Sequence, residues 1–224
     1  MVITCSLVFV WFIVLLIPCI CAFKRIEIKY GVGLSRFVNR FLLDKLDNKN
    51  SKVYGFTLFC GRQGGGKTYS AVKYICNLVD KYNCKVITNT PLDIECVQIS
   101  DISVIPYLIK NDTNYIIFLD EIQTLFDSRK MDNDFYTLFC QLRKRGIKIV
   151  GTSQIFERCA LQLREQVNDL YYCKTFLGCV TMCTKIFPVI NSSGKIESRP
   201  LVLGRSIFVQ SDDIRKKYDT FYKI

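Results

Sequence analysis

The eight residues at positions 61–68 constrain the fold of this chain more than any other feature. They read Gly-Arg-Gln-Gly-Gly-Gly-Lys-Thr, a glycine-rich turn that ends in lysine and threonine. The preceding residues, 53–60, are mostly apolar, and residues 68–81 place apolar side chains at helical spacing. A strand, a glycine-rich turn and a helix in this order predict a βα unit of a parallel sheet.

This turn matches the P-loop pattern, in which four residues separate a glycine from Gly-Lys and then Ser or Thr. Glycines let backbone N–H groups point toward a phosphate, and the start of the following helix also attracts anions. We expect Lys67 to reach the β- and γ-phosphates of ATP, and the Thr68 hydroxyl to complete the coordination of Mg²⁺. The alternative is a glycine-rich turn without a ligand. The predicted nucleotide-binding residues are Gly61, Arg62, Gln63, Gly64, Gly65, Gly66, Lys67, Thr68 and Tyr69.

Two adjacent acidic residues follow a second apolar run. Tyr115–Leu119 is entirely apolar, and Asp120 and Glu121 come directly after it. Ligand-binding groups of parallel sheets lie at the carboxyl ends of the strands, so both carboxylates should stand beside the P-loop. We expect Asp120 to hold Mg²⁺, directly or through water, and Glu121 to act as the general base on the attacking water. The alternative is an acidic pair that caps the next helix.

A third apolar run, residues 148–152, is followed by Ser153 and Gln154. An amide at this strand end would orient water or sense the γ-phosphate, which makes Gln154 a candidate sensor. Arg143 and Arg145 stand just before the run, at the end of a helix predicted for residues 135–144. These cations either complement the helix dipole or supply an arginine to the site of a neighbouring subunit, and their spacing leaves both open.

Together these motifs resemble the N-terminal ATPase domain of the zonula occludens toxin family, which includes the gene I assembly protein of filamentous phages and belongs to the FtsK–HerA group of P-loop ATPases. The resemblance covers residues 53–176. It is carried by GRQGGGKT, IIFLDEIQTLFDSR and LRKRGIKIVGTSQ. The family usually has histidine where this chain has Lys144, and familiar members place their membrane span after the ATPase domain.

The resemblance implies a role for each motif. Lys67 and Thr68 would serve phosphate and magnesium, and Asp120 and Glu121 would form the Walker B pair. By the same resemblance, Gln154 is the sensor and Arg143 or Arg145 acts in trans.

The first 23 residues carry no charge and are dominated by large apolar side chains. A helix of this length would extend about 34 Å, enough to cross the hydrocarbon core of a bilayer. Lys24 and Arg25 follow, and positive residues stay on the cytoplasmic side. We therefore expect a single-pass anchor in the host inner membrane, with the ATPase domain in the cytoplasm, where ATP is available. A cleaved secretory signal is the alternative, but it lacks the positively charged segment that such signals begin with.

The net charge of +11 is concentrated in two flanks. Residues 24–52 hold eight basic and three acidic residues, with helical apolar spacing from position 34 onward. This pattern indicates a basic amphipathic segment near anionic headgroups or, equally, a helix packed on the next domain. The twelve cysteines lack a zinc-binding spacing, and the chain has no histidine. Free thiols in a reducing compartment fit this pattern.

The alternation of strands and helices from residue 53 predicts an α/β fold. We expect a P-loop NTPase with a mainly parallel, doubly wound sheet, preceded by one N-terminal transmembrane helix. Beyond a helix at residues 159–167 and a strand at 170–176, a turn signal at 191–194 predicts an antiparallel hairpin. The expected domains are a transmembrane helix (1–23), a juxtamembrane segment (24–52), a P-loop ATPase domain (53–189), and a C-terminal hairpin with a basic tail (190–224).

The predicted function is a membrane-anchored ATPase that powers filamentous phage assembly and the export of DNA through the host membrane. Its cofactors would be ATP and Mg²⁺. Its partners would be further copies in a homo-oligomeric ring, the membrane and phage coat or export proteins, with single-stranded DNA as another candidate. Two alternatives remain open: a viral genome-packaging ATPase of the FtsK–HerA group, and a non-enzymatic membrane adaptor stabilised by nucleotide.

Overall fold

The computed structural model describes residues 16–21, 24, 33–47, 53–109, 114–126, 133–191, 195–196 and 200–219. The chain divides into two compact units, Met1–Ser51 and Lys52–Ile224. Most of the predicted transmembrane segment, residues 1–23, lies outside the described residues. Among the residues that are described, no helix has both the length and the apolar character needed to cross a membrane.

In the first unit, residues 16–21 are helical and α1 spans Gly33–Asp47. The helical spacing predicted from position 34 onward is therefore confirmed. Phe37 and Phe41 are exposed on α1, one turn apart, whereas Leu43 is buried. The side-chain amide of Asn39 donates to the carbonyl oxygen of Pro18 at 3.1 Å, which joins the two helical segments.

In the second unit, the described residues form one eight-stranded sheet in the order β3-β2-β4-β5-β1-β6-β7-β8. Neighbouring strands from β3 to β6 are parallel, whereas β6–β7 and β7–β8 are antiparallel. The mainly parallel sheet and the antiparallel hairpin are thus confirmed. The strands are β1 Gly55–Cys60, β2 Lys85–Thr88, β3 Cys96–Gln98, β4 Tyr115–Leu119, β5 Ile147–Ser153, β6 Val167–Phe176, β7 Val180–Phe187 and β8 Leu201–Val209.

Hydrophobic clusters cover both faces of this sheet. Side chains alternate across a strand, so Leu58 of β1 joins one cluster and Phe59 joins the other. The helices of this unit are α2 Lys67–Tyr82, α3 Ile105–Leu108, α4 Ile122–Leu125, α5 Asn133–Cys140, α6 Leu142–Arg145, α7 Leu161–Glu165 and α8 Asp212–Arg215. α2 packs in the Phe59 cluster, and α5 and α7 pack in the Leu58 cluster.

Three local expectations need correction. The helix predicted for residues 135–144 is interrupted at Gln141, whose N–H donates to the carbonyl of Leu138 in a tighter turn. The helix predicted for residues 159–167 is shorter in the structure, where only α7, Leu161–Glu165, is α-helical. The strand expected from residue 170 begins earlier, at Val167, because Val167 pairs with Phe56 of β1, whose backbone N–H also donates to the side chain of Asn168 at 2.7 Å.

Candidate functional site

The P-loop joins β1 to α2 and is shaped by β6 and β7. A side chain at Gly61 would place its Cβ 2.4 Å from the carbonyl oxygen of Cys173 on β6. Gly66 has a φ of +78°, and a Cβ there would stand 2.6 Å from the Thr175 hydroxyl and 2.9 Å from the Thr181 hydroxyl. Neither position accepts a side chain without displacement, so Gly61 and Gly66 meet a steric demand of this fold.

Lys67 begins α2 and is 6% exposed. Its ammonium group donates to the carbonyl of Arg62 at 3.3 Å, so the side chain reaches back across the loop. Gly66, the cap of α2, contributes no side-chain hydrogen bond to the helix N-terminus. The backbone N–H groups of that first turn therefore suit an anionic ligand, and the lysine supplies a positive charge beside them.

Thr68 and Asp120 meet at the carboxyl edge of the sheet. The Thr68 hydroxyl donates to Oδ1 of Asp120 at 3.3 Å, although 52 residues separate the two in sequence. Burial, followed by the neighbouring charge of Glu121, raises the pKa of Asp120, while hydrogen bonds from Thr152 and Thr68 and the charge of Lys67 oppose that shift. A divalent cation would favour the ionised carboxylate.

These oxygens fit the donor set of Mg²⁺, which binds through one or two carboxylates together with substrate phosphates and water. In the described part of the chain, no group of three or more Cys, Asp or Glu side chains could hold a metal ion alone. Thr68 and Asp120 would be the protein ligands of a magnesium ion here, together with phosphate oxygens and water.

Two residues without a predicted role, Thr152 and Asn89, fix the position of Asp120. The Thr152 hydroxyl on β5 donates to Oδ1 of Asp120 and accepts from the backbone N–H of Glu121 at 2.9 Å. The side-chain amide of Asn89, just after β2, pairs with the backbone N–H and C=O of Asp120 at 2.8 Å and 3.1 Å. The polar run Thr88-Asn89-Thr90 after an apolar strand was the signal that could have revealed Asn89.

Glu121 adopts a left-handed backbone conformation, with φ and ψ both 49°. For a residue with a side chain this conformation costs about 1 kcal/mol or more, and such strain clusters at functional sites. The Glu121 carboxylate is half-buried and accepts a hydrogen bond from the side-chain amide of Gln123. The structure thus places Glu121 next to Asp120, at the end of the sheet where the P-loop lies, and its left-handed backbone sets its position.

The family model of the zonular occludens toxin (Zot) matches residues 56–223. The chain belongs to the Zot family. The resemblance seen in its motifs is therefore confirmed.

Among solved structures, the N-terminal domain of zonular occludens toxin from Neisseria meningitidis matches with a TM-score of 0.56 and 19% identity, covering 75% of this chain and all of that one. The DNA-packaging ATPase B204 from Sulfolobus turreted icosahedral virus gives a TM-score of 0.46 and 13% identity, covering 57% of this chain and 78% of that one. The first match shows the fold, and the second is too distant to add to it. No curated protein matches significantly.

In this Zot-family chain, Gln154 lies at the carboxyl ends of the parallel strands, and the two arginines lie at their amino ends. Gln154 directly follows β5, whose last residue, Ser153, accepts a 3.3 Å hydrogen bond from the N–H of Gly61. Arg143 lies on α6, before β5, with its guanidinium 5.5 Å from the ring centroid of Tyr54, which precedes β1. The six residues of β1 separate these ends by about 20 Å. Gln154 thus shares an edge with the P-loop, and Arg143 does not.

Arg145 lies on the same short helix as Arg143, and its Nε donates to the side chain of Gln141 at 3.0 Å. Both arginines are therefore remote from the P-loop of their own chain. The geometry excludes direct contact with a nucleotide bound there, so any catalytic use of either residue requires another subunit.

A pair of thiols lies behind the P-loop of the Zot-family domain. The sulfur atoms of Cys173 and Cys183 are 3.5 Å apart, and the Ser70 hydroxyl lies 3.2 Å from the second. The hydrogen bond from Cys173 lowers the pKa of Cys183 to about 7, and the same bond raises the pKa of Cys173. The cysteines that the structure describes are free thiols.

Proposed function

We propose that this Zot-family protein is a magnesium-dependent ATPase. The observation that carries the proposal is the 3.3 Å contact between the Thr68 hydroxyl and the Asp120 carboxylate, which joins the P-loop to the acidic strand end. This contact brings together the groups that P-loop NTPases use for Mg²⁺. Glu121, adjacent to Asp120, then supplies an acid–base group where the γ-phosphate would lie.

Each residue has a distinct part in the proposed reaction. Lys67 and the N–H groups of the first turn of α2 neutralise the phosphates. Thr68 and Asp120 would hold Mg²⁺, which supplies charge stabilisation to the β- and γ-phosphate oxygens when bound. Glu121 accepts a proton from the attacking water, and Gln154 orients that water.

The test is phosphate release by the wild type and by Glu121→Gln, with ATP binding measured on both. We expect Glu121→Gln to bind ATP normally and to lose activity by about 100-fold or more, because a general base contributes 10²–10⁴-fold. Glu165→Gln is the matched control, since Glu165 is exposed on α7. A wild type that never releases phosphate would instead favour the nucleotide-stabilised adaptor. Equal activity in Glu121→Gln would remove Glu121 as the base.

The finer part of the proposal is that this ATPase is anchored in the host inner membrane and drives assembly and extrusion of filamentous phage. Support comes from membership of the Zot family, from the uncharged residues 1–23, and from the basic residues that follow them. The positive flank would keep the ATPase domain on the cytoplasmic side of the membrane. A ring of subunits would give the remote Arg143 and Arg145 a nucleotide to contact.

Two measurements test this finer proposal. The full chain should sediment with membranes, and deletion of residues 1–23 should release it; a soluble full chain contradicts the anchor. Lys67→Ala in the viral genome should abolish release of filaments while coat protein accumulates in the membrane. Accumulation of empty capsids would instead indicate genome packaging.

A further inference from the structure

We propose that the nucleoside of the bound triphosphate lies in a pocket between the P-loop and a C-terminal wall, defined as residues 210–218. This inference rests on the proposed nucleotide binding and adds residues beyond the P-loop motif. A cavity of about 370 Å³ separates the two, with Lys67 and Thr68 on one side and Gln210, Arg215 and Tyr218 on the other. This volume falls within the range of ordinary ligand pockets.

The direction of the phosphate chain places the nucleoside on this side. Thr68 and Asp120, which would hold Mg²⁺, mark the end of the site where the β- and γ-phosphates would lie. Asp120 follows β4, which lies two strands from β1 in the sheet. The cavity instead reaches Thr175 and Gly178 at the β6–β7 turn, on the opposite side of β1. The α-phosphate and its nucleoside must leave the loop away from Asp120, and therefore toward this cavity.

Arg215 is the residue of the wall best suited to a base. Its Nε donates to Oε1 of Gln210 at 2.9 Å, and a terminal nitrogen donates to the carbonyl of Gly178 at 2.8 Å. Gln210 is itself held by a 2.8 Å hydrogen bond to the Thr181 hydroxyl. An exposed guanidinium is thus fixed before any ligand arrives, which lowers the entropy lost on binding. Its planar face can stack on an aromatic base.

The wall is held at both of its ends, at one end by the nucleotide-binding helix and at the other by residues that follow β2. The backbone N–H of Ser211 donates to the Tyr69 hydroxyl at 2.8 Å, and Tyr69 is the residue that follows the P-loop motif. At the other end, the carbonyl of Lys217 accepts from the N–H of Asp93 at 2.8 Å, and Tyr218 forms an antiparallel bridge with Leu92. Hydrogen bonds at both ends therefore hold the wall in place beside the cavity.

The amide of Gln210 already bonds to Thr181 and Arg215. The pocket therefore offers a stacking surface more than a set of groups that read base edges. We expect ATP and GTP to bind within about tenfold of each other, because stacking tolerates any base.

The experiment compares ATP with inorganic tripolyphosphate, which has the phosphates but no nucleoside. Binding is measured on the full chain in detergent, for wild type, Arg215→Ala, Arg215→Lys and the control Lys216→Ala, whose side chain is exposed on the same wall. We expect both Arg215 variants to weaken ATP binding by about tenfold, with tripolyphosphate changed by less than about twofold. Lys216→Ala should match the wild type for both ligands.

Other outcomes separate this inference from the proposed function. Unchanged ATP affinity in Arg215→Ala overturns the nucleoside pocket. If Arg215→Ala weakens the binding of ATP and of tripolyphosphate equally, and Arg215→Lys restores both, the nucleoside pocket is also overturned, because Arg215 would then contact phosphate through its charge. A wild type that binds tripolyphosphate as tightly as ATP also overturns the pocket and leaves the P-loop assignment intact. A wild type that binds neither ligand overturns the proposed function and this inference with it.

Discussion

The Tyr69 hydroxyl accepts a 2.8 Å hydrogen bond from the backbone N–H of Ser211, which lies 142 residues further along the chain. Tyr69 is 1% exposed, and its ring stacks on Phe208 of β8 at a centroid distance of 5.8 Å. The first turn of the nucleotide-binding helix and the segment after the last strand are therefore one packed assembly. Substitutions in the C-terminal segment should therefore affect the P-loop.

Tyr69→Phe tests this connection. The variant keeps the ring stacking and removes the hydroxyl that accepts from the Ser211 N–H and lies 3.3 Å from the Ser211 hydroxyl, so we expect a loss of about 1 kcal/mol in the free energy of unfolding. Hydrogen exchange at the Ser211 amide should become faster. Tyr107→Phe is the control, because Tyr107 is 81% exposed and its substitution should change neither quantity. Unchanged exchange at Ser211 would show that this hydrogen bond does not hold the segment.

Thr152→Val removes the hydroxyl that joins Asp120 to the backbone of Glu121 while preserving the shape of the side chain. We expect magnesium-dependent phosphate release to fall by about tenfold or more, as for other residues that orient a metal ligand. The Thr152 hydrogen bond lowers the pKa of Asp120, so its loss should raise that pKa further. The acidic limb of the pH–activity profile should therefore move to higher pH. The same substitution at Thr184, on β7, should leave the profile unchanged.

Asp120→Asn should stabilise the nucleotide-free protein. Burial raises the pKa of Asp120, so between its ordinary and raised pKa values the folded state binds more protons than the unfolded chain. The free energy of unfolding then falls as the pH rises through that window, and at pH 7 the buried charge destabilises the fold. We expect the melting temperature without nucleotide to increase by about 3 °C. The further increase on adding Mg²⁺ and ATP should disappear. A lower melting temperature in the variant would contradict this account.

Lys148→Met should also stabilise the protein. Lys148 is 5% exposed on β5, and burial lowers its pKa from 10.5 to about 8. From about pH 8 to pH 10.5 the folded state binds fewer protons than the unfolded chain, so stability rises with pH in that window. The variant should lose this pH dependence and gain roughly 3 kcal/mol at pH 7, as expected for a shift of this size. Denaturant titrations at pH 7 and pH 10 test both statements, and a parallel pH dependence in the variant would contradict them.

Arg143 and Arg145 can be tested by mixing subunits. If one of them acts in trans, its alanine variant should lose about 10³-fold in turnover, as on loss of an arginine finger. Lys67→Ala should also be inactive by itself. Equal amounts of the two variants should regain activity together, because random assembly of a closed ring gives roughly one interface in four with both groups intact. An inactive mixture, or full activity of both arginine variants alone, argues against a trans arginine.

Much of the candidate site could be predicted from local sequence pattern. β4 coincides with the apolar run noted in the sequence because buried parallel strands are short, nearly continuous apolar runs with sharp ends. Asp120 was found because it follows such a run. Its partner Asn89 was missed because the polar run Thr88-Asn89-Thr90 marks the end of a strand without indicating which residue, 31 positions away, Asn89 contacts.

The C-terminal wall could not be predicted either, because its contacts join residues that are even further apart in the sequence. The contact between Tyr69 and Ser211 depends on the return of the chain through β6, β7 and β8. The register of those strands is set by long-range pairing, and the residues between positions 69 and 211 show no local pattern that specifies it.

The carbonyl oxygen of Cys173 that faces Gly61 has an evolutionary consequence. Because a backbone atom makes this approach, every amino acid at position 173 presents the same obstacle. A substitution at position 173 therefore leaves this contact with the loop unchanged. No substitution at position 173 can make room for a larger residue at position 61. In related sequences, an invariant glycine at position 61, whichever residue occupies position 173, is the pattern of variation that this contact should produce.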